Sequence, residues 1–504
     1  MEILLTTAYI AFFYWILSRM RFFRESGLSL RIIRGIFLLK ILASLALWAI
    51  YTYYYTDRST ADIFKYFDDS KVMYDAIHTH PSDYFRMLFG IGNDSPGFNH
   101  YYIQMHNWAR QYESNLYNDS HTIIRFNALL RILSLGCYQV HAVILCFLSL
   151  SGLVALYKVF AHLLPGKKTG VIASVFLIPS VLFWGSGVLK EGLIFFGLGI
   201  LILHWYRCWS GKFSVGSLLW VCFGVCLLLV TKFYIIVSIV PGLIYLAWIL
   251  FSGNKYFLLK FSIVMAFYAG LGLSVKYLVP AYDPLQVLSI KQRDFSSLAK
   301  GGALLRCDTA MIYLTIEQRT KNLIKANHPG EYTLREGTPI VYWHDYSAEE
   351  DTLFGMQGPT PVVYRMENDM PRSGSMIWTR PLEPTVSSFL RNLPMALLNT
   401  LFRPLPTEVR GPMLLMPCLE IIGYTLLLGS CFFYYRTKAD GMEYALFCLS
   451  FVFILFAITG LTTPVMGALV RYKAPGLPFL VLSLLFFLDE EKLFKRFPFL
   501  KRFA

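Results

Sequence analysis

The chain has 504 residues, 56% of them hydrophobic, 16% aromatic and only 15% charged, with a formal net charge of +14. A soluble globular protein of this length does not carry that balance, and in so apolar a chain the positive charge reads as basic loops facing anionic lipid rather than as a nucleic-acid surface. Of nine cysteines, only Cys307 lies in a long polar loop, so neither a disulfide framework nor a Cys/His metal spacing is implied.

The first element, MEILLTTAYIAFFYWILSRMR, has an acidic first turn and no small-residue cleavage site, and reads as a retained helix. Apolar runs able to cross a core roughly 30 Å thick follow one another at 3–19, 36–55, 138–160, 171–185, 190–206, 214–231, 233–251, 258–279, 413–435, 442–461 and 474–488. The expected fold class is therefore an all-α polytopic membrane protein of about 11 transmembrane helices. With the N-terminus outside, every inside loop is basic, from Arg19, Arg21, Arg24, Arg31 and Arg34 to the tail Lys492, Lys495, Arg496, Lys501 and Arg502. The positive-inside rule then puts the C-terminus in the cytoplasm.

The expected organisation is an extra N-terminal span and basic loop (1–35), a membrane core (36–279) with a first extracytoplasmic loop at 56–137, an extracytoplasmic insertion (280–412), and C-terminal spans with a basic tail (413–504). The first loop opens on TADIFKYFDDSKVMYDAI, with apolar residues every three to four, and a second amphipathic stretch, TIIRFNALLRILSLG, leads into the third span. The insertion is Pro- and Gly-punctuated with short alternating runs, which predicts a small mixed α/β lid.

Three places carry candidate chemistry. Asp62 and Asp69 are seven apart and share a helix face with Tyr66 between them; a carboxylate there suits removal of a proton from a hydroxyl. In PSVLFWGSGVLKEGLIFF, Ser186 and its flanking glycines break the apolar run before Lys190 and Glu191 open the next helix, a combination suited to phosphate. Before the last span, TTPVMGALVRYKAP sets Arg471 and Lys473 on the outside, against the prevailing charge bias. Arg403 reads as an anchor. His100, His106, His344 and Asp345 read as structural, and Lys40, Lys232 and Glu420 as ionisable residues near span ends or in isolation. No Walker loop, dinucleotide fingerprint, nucleophile elbow or HExxH motif occurs.

An Asp-bearing helix after an early span, a Lys–Glu at a helix start and an RYK-P motif before the last span together resemble the GT-C superfamily of polytopic glycosyltransferases that use polyprenyl-phosphate-linked sugars. The resemblance covers most of the chain in layout and three short motifs in residues. It implies Asp62 as the catalytic carboxylate with Asp69 as a second candidate, and Lys190, Arg471 and Lys473 on the donor phosphate, supported by Tyr66, Ser186 and Glu191. The implied reaction is an inverting hexosyl transfer to a glycan, lipid or protein acceptor at the outer face of the bilayer. FWGSGVLKEG resembles bacterial proteins of this type, which implies a bacterial inner membrane. A metal-free reaction is expected because the needed cations are in the chain, and Asp68 and Asp69 are the pair available to a divalent cation. Two features depart from the family pattern: the Asp loop follows the second span rather than the first, and a soluble C-terminal domain is replaced by a short tail. An oligosaccharide polymerase or ligase, a lipid or glycolipid flippase and a membrane scaffold are the competing classes.

Overall fold

The computed structural model describes the chain except residues 59–60, 109–116, 308–310, 315, 327, 329, 344–352, 357, 359–361, 371–372, 437–440 and 504; His344 and Asp345 lie outside the described residues. The protein is predominantly helical and polytopic. Among the described residues, eight helical stretches are long and apolar enough to cross a membrane: Leu30–Tyr54, Tyr138–Leu163, Lys190–Trp209, Phe233–Ser252, Phe257–Leu278, Pro412–Phe433, Met442–Thr462 and Met466–Phe487. They differ in how much protein surrounds them. Tyr138–Leu163 is largely buried, whereas Phe257–Leu278 buries only Val264 and exposes Leu258, Leu259, Ile263 and Phe267, an arrangement that hydrocarbon solvates and water does not.

The remaining expected spans take other forms. Residues 3–19 form the helix Glu2–Arg19, and residues 214–231 form Val215–Thr231, a shorter apolar helix of 17 residues. The run 171–185 is not one helix but two, Lys168–Phe176 and Pro179–Trp184. Proline at 179 disfavours helical geometry at Ile178, which is extended at φ −64° and ψ 122°, and so breaks the run. The gap is stapled by Glu420, whose Oε2 accepts from the Ser180 N–H at 2.8 Å. Glu420 is therefore a buried partner of the break rather than an isolated charge. The last span, by contrast, stays helical past its proline: Met466–Lys473 tightens into a 3-10 turn at Ala474–Gly476, where Pro475 sits, and continues as Leu477–Phe487.

The tightest helix crossing joins Tyr138–Leu163 to Lys190–Trp209 through glycine. A Cβ on Gly199 would overlap the Gly152 carbonyl, and one on Gly152 would overlap the Phe195 carbonyl, so the two backbones touch with no side chain between them. Apolar side chains gain little from meeting one another in lipid, so close backbone packing of this kind is what binds helices there.

Between Phe257–Leu278 and Val386–Phe402 the chain builds a mixed insertion, anchored to the bundle by the Pro284–Lys300 helix against Met442–Thr462. After the helix Pro284–Lys300, seven strands form one antiparallel sheet: β1 Gly302–Arg306, β2 Met311–Leu314, β3 Leu323–Lys325, β4 Glu331–Leu334, β5 Pro339–Trp343, β6 Leu353–Met356 and β7 Tyr364–Met370. Their order is β3-β4-β7-β1-β2-β5-β6. Alternate residues Ala303 and Leu305 on β1 and Ile312 and Leu314 on β2 join Leu334 and Tyr364 in a small core, the period-2 pattern of a one-sided sheet.

Candidate functional site

Two helices begin where the candidate residues lie. Asp62 opens Asp62–Thr79, an amphipathic helix whose inner face buries Ile63, Phe64, Tyr66, Phe67 and Met73. Lys190 and Glu191 open Lys190–Trp209, released from the preceding short helix by the Gly185–Gly187 break. The Ser120–Ser134 helix packs beside Asp62–Thr79 and fixes it: buried Arg131 donates to Ser70 Oγ at 2.8 Å and to the Phe67 carbonyl at 2.6 Å. Burial lowers the Arg131 pKa to about 10, so it remains charged at neutral pH.

Arg471 is the centre of the arrangement. Its Nε and Nη2 grip Glu191 at 2.6 and 3.1 Å, while Nη1 reaches Asp62 Oδ2 at 2.6 Å. Glu191 is almost sealed at 2% exposed, whereas the Asp62 side chain is 40% exposed. One guanidinium thus ties a hidden carboxylate to an accessible one, a task the planar fork of arginine suits and a lysine ammonium does not. Beside this trio lies a second: Lys190 and Lys232 meet the same carboxylate, Asp119, at 3.1 and 2.8 Å, and the Lys190 ammonium also donates to Ser120 Oγ at 3.2 Å and sits 5.1 Å from the Tyr66 ring centre. These three cations and three carboxylates balance.

The accessible side of Asp62 and Arg471 opens on a cavity of about 290 Å³, walled by Tyr51, Tyr55, Trp184, Met413 and Tyr472, with Gly467 and Ala468 along the Met466–Lys473 helix. Tyr51 comes from a π-helical turn at Ile50–Tyr54, which closes the Leu30–Ala49 helix; such turns are frequent at functional sites. Aromatic walls around a carboxylate and a guanidinium suit a polar ring compound with an anionic group. Burial works against ionisation of Asp62, but the charge and hydrogen bond of Arg471 prevail and hold its pKa below the usual carboxylate value.

Of the eight residues singled out in sequence, Asp62, Glu191 and Arg471 meet, with Lys190 and Tyr66 beside them. The other three face elsewhere. Asp69 is 1% exposed, and its carboxylate accepts from the His106 and Asn107 N–H groups at 2.8 and 2.7 Å, tethering the loop that precedes the Ser120–Ser134 helix. Burial raises its pKa, the two N–H bonds only partly offsetting that. Asp68 pairs with Arg58 at 2.7 Å, so the two neighbouring carboxylates have separate partners, and no cluster of three or more metal-binding side chains occurs among the described residues. Lys473 is fully buried and donates to the Thr400 and Arg403 carbonyls, both at 2.9 Å, so Arg471 and Lys473 do not form one clamp. Two residues apart on a helix, they point to different sides. Ser186 is fully buried and its hydroxyl donates to the Leu182 carbonyl.

Asp119 and Trp184 were not singled out in the sequence, and Lys232 is engaged rather than isolated. Lys40 is isolated as read, with no hydrogen-bond partner for its Nζ among the described residues, but it lies fully buried in the middle of the Leu30–Tyr54 span rather than near an end. Asp69→Ala should release the 106–107 loop and cost about 3 kcal/mol, the penalty for removing a buried charged acceptor from two donors; thermal unfolding in detergent would measure it. Compared with known proteins, the chain matches no family model, no curated protein and no solved structure.

Proposed function

We propose that the protein is a membrane glycosyltransferase of GT-C type that moves a sugar from a polyprenyl-phosphate donor to a hydroxyl of a glycan, lipid or protein acceptor. In this reading the chain crosses a bacterial inner membrane eleven times, with the N-terminus and the 280–412 insertion outside and the basic tail inside, as the charge bias of its loops supports. The observation that carries the reading is the Asp62–Arg471 ion pair, which joins residues 409 apart at the mouth of an aromatic cavity.

The pair supplies both halves of the reaction. The donor phosphate takes the Nη1 face of Arg471, while the bidentate grip of Glu191 keeps the guanidinium in place. Asp62 then loses the positive charge that held its pKa down, which makes its carboxylate a stronger base. It removes the proton from the acceptor hydroxyl as that oxygen bonds to the anomeric carbon. The carbon–oxygen bond to phosphate breaks, and its electron pair leaves on the phosphate beside Arg471. Lys190 and Lys232 add positive potential behind the pair, while Lys473 supports the turn that carries Arg471.

Asp62→Asn tests the reading. The amide preserves the shape and leaves the fold within about 1 kcal/mol, because an accessible ion pair contributes little stability. Donor turnover by the full chain in nanodiscs, given a panel of polyprenyl-phosphate sugars, should fall by about 10²–10⁴, the usual contribution of a general base. Undiminished turnover in the variant would remove Asp62 from the chemistry.

A further inference from the structure

A second cavity, about 300 Å³, lies away from the Asp62–Arg471 site, between the Val386–Phe402 helix and the extended segment 375–382. That segment is held firmly. Its Ile377 N–H donates to the Pro464 carbonyl at 2.6 Å, the Met466 N–H donates back to Ser375 at 2.9 Å, and Gln292 accepts from the Leu382 N–H at 2.7 Å while donating to the Arg380 carbonyl at 2.9 Å. The floor is Gly460, where any side chain would overlap Ala396 and Thr400. The cavity is thus bounded by fixed backbone.

Its walls carry both charge and apolar surface. Arg380 and Arg391 both line it, and neither guanidinium has a carboxylate partner among the described residues, whereas Arg58, Arg403 and Arg471 all do. Met395 and Leu398 line it as well and are 56% and 52% exposed, with Trp378 69% exposed. Arg391, Met395 and Leu398 follow one another at four and three residues, so they descend one helix face over about 10 Å, cation first and apolar residues after.

We propose that this groove binds a phosphate-bearing lipid, with the phosphate between Arg380 and Arg391 and the hydrocarbon chain along Met395 and Leu398. Two unpaired guanidiniums match a phosphate, and the adjoining apolar face matches a chain that a soluble anion lacks. Trp378 takes the place that tryptophan occupies at bilayer interfaces. The inference stands independently of sugar transfer, because it uses none of the residues at the Asp62 cavity.

The test is fluorescence quenching of the full chain in phosphatidylcholine nanodiscs containing a minor fraction of brominated lipid, either phosphatidylglycerol or phosphatidylcholine. The Trp378 contribution is isolated by subtracting Trp378→Phe. Two cations predict about thirtyfold enrichment of the anionic lipid at Trp378 over the zwitterionic one, and its loss in Arg380→Gln/Arg391→Gln, whose exposed positions leave thermal unfolding unchanged. Relief of quenching by a polyprenyl monophosphate would assign the groove to the carrier lipid, and indifference to it would assign it to bulk anionic lipid. Equal quenching by both brominated lipids, an enrichment that survives the double substitution, or displacement by inorganic phosphate alone would overturn the proposal.

Discussion

Arg471→Gln is expected to abolish donor turnover and to destabilise the protein by about 3–5 kcal/mol, the cost of leaving one member of a buried ion pair without its partner. The stability loss belongs to Glu191, which is 2% exposed and loses a bidentate grip; Asp62, facing the cavity, adds little to it. The two effects are separable. Glu191→Gln/Arg471→Gln removes the stranded charge, so its unfolding temperature should recover towards wild type while turnover stays absent. Arg471→Lys keeps the charge but cannot reach both carboxylates at once, and should fall between. Infrared titration of the carboxyl band adds a signed check. With the guanidinium gone, burial acts on Asp62 against only the smaller pull of Lys190 and Lys65, and its pKa in Arg471→Gln should lie above that of wild type. A group with a depressed pKa stabilises the fold above its unfolded value and loses that contribution as pH falls through the folded one, so acid should remove from the wild type an Asp62 contribution that the variant lacks, and the stability gap between the two should narrow. Equal acid sensitivity of the two proteins would contradict the pairing.

Gly199→Val should prevent assembly of the helix pair altogether. The new side chain would enter the space of the Gly152 carbonyl, and the obstruction is backbone, which has no rotamer to change. Overpacking costs about 1–3 kcal/mol where side chains can yield, and here the cost exceeds that range. The expected result is loss of monodisperse protein after detergent extraction. Gly216→Val is the control: nothing lies within 4 Å of a Cβ at that position, and the variant should extract normally. A well-behaved Gly199→Val protein would show that the two helices can separate without cost.

What the sequence reveals depends on whether a signal is local. Long apolar runs mark spans because each must satisfy its own backbone in lipid, and the starts of helices at Asp62 and Lys190 follow from the residues around them. The break at Pro179 was also in the sequence, hidden by the apolar residues on either side. Spacing was the weaker guide at the site. Asp62 and Asp69 share a helix face, yet seven residues carry Asp69 about 10 Å along the axis, to the level of the His106 loop. Arg471 and Lys473 looked like one basic motif and face different surroundings. Asp119 and Lys232 had no local signal, since each acquires meaning from a partner more than a hundred residues away.

The same separation governs how the site is made. Glu191 enters the nascent protein 280 residues before Arg471, and at about 5–20 residues per second the interval is roughly 15 to 55 s. Throughout that time the carboxylate at the head of the Lys190–Trp209 helix lacks the Arg471 guanidinium that holds it in the finished protein, so the insertion machinery must keep it hydrated. Completion of the charge cluster therefore waits for the last span, and a chain stalled short of residue 471 displays to quality control a carboxylate that the finished protein hides.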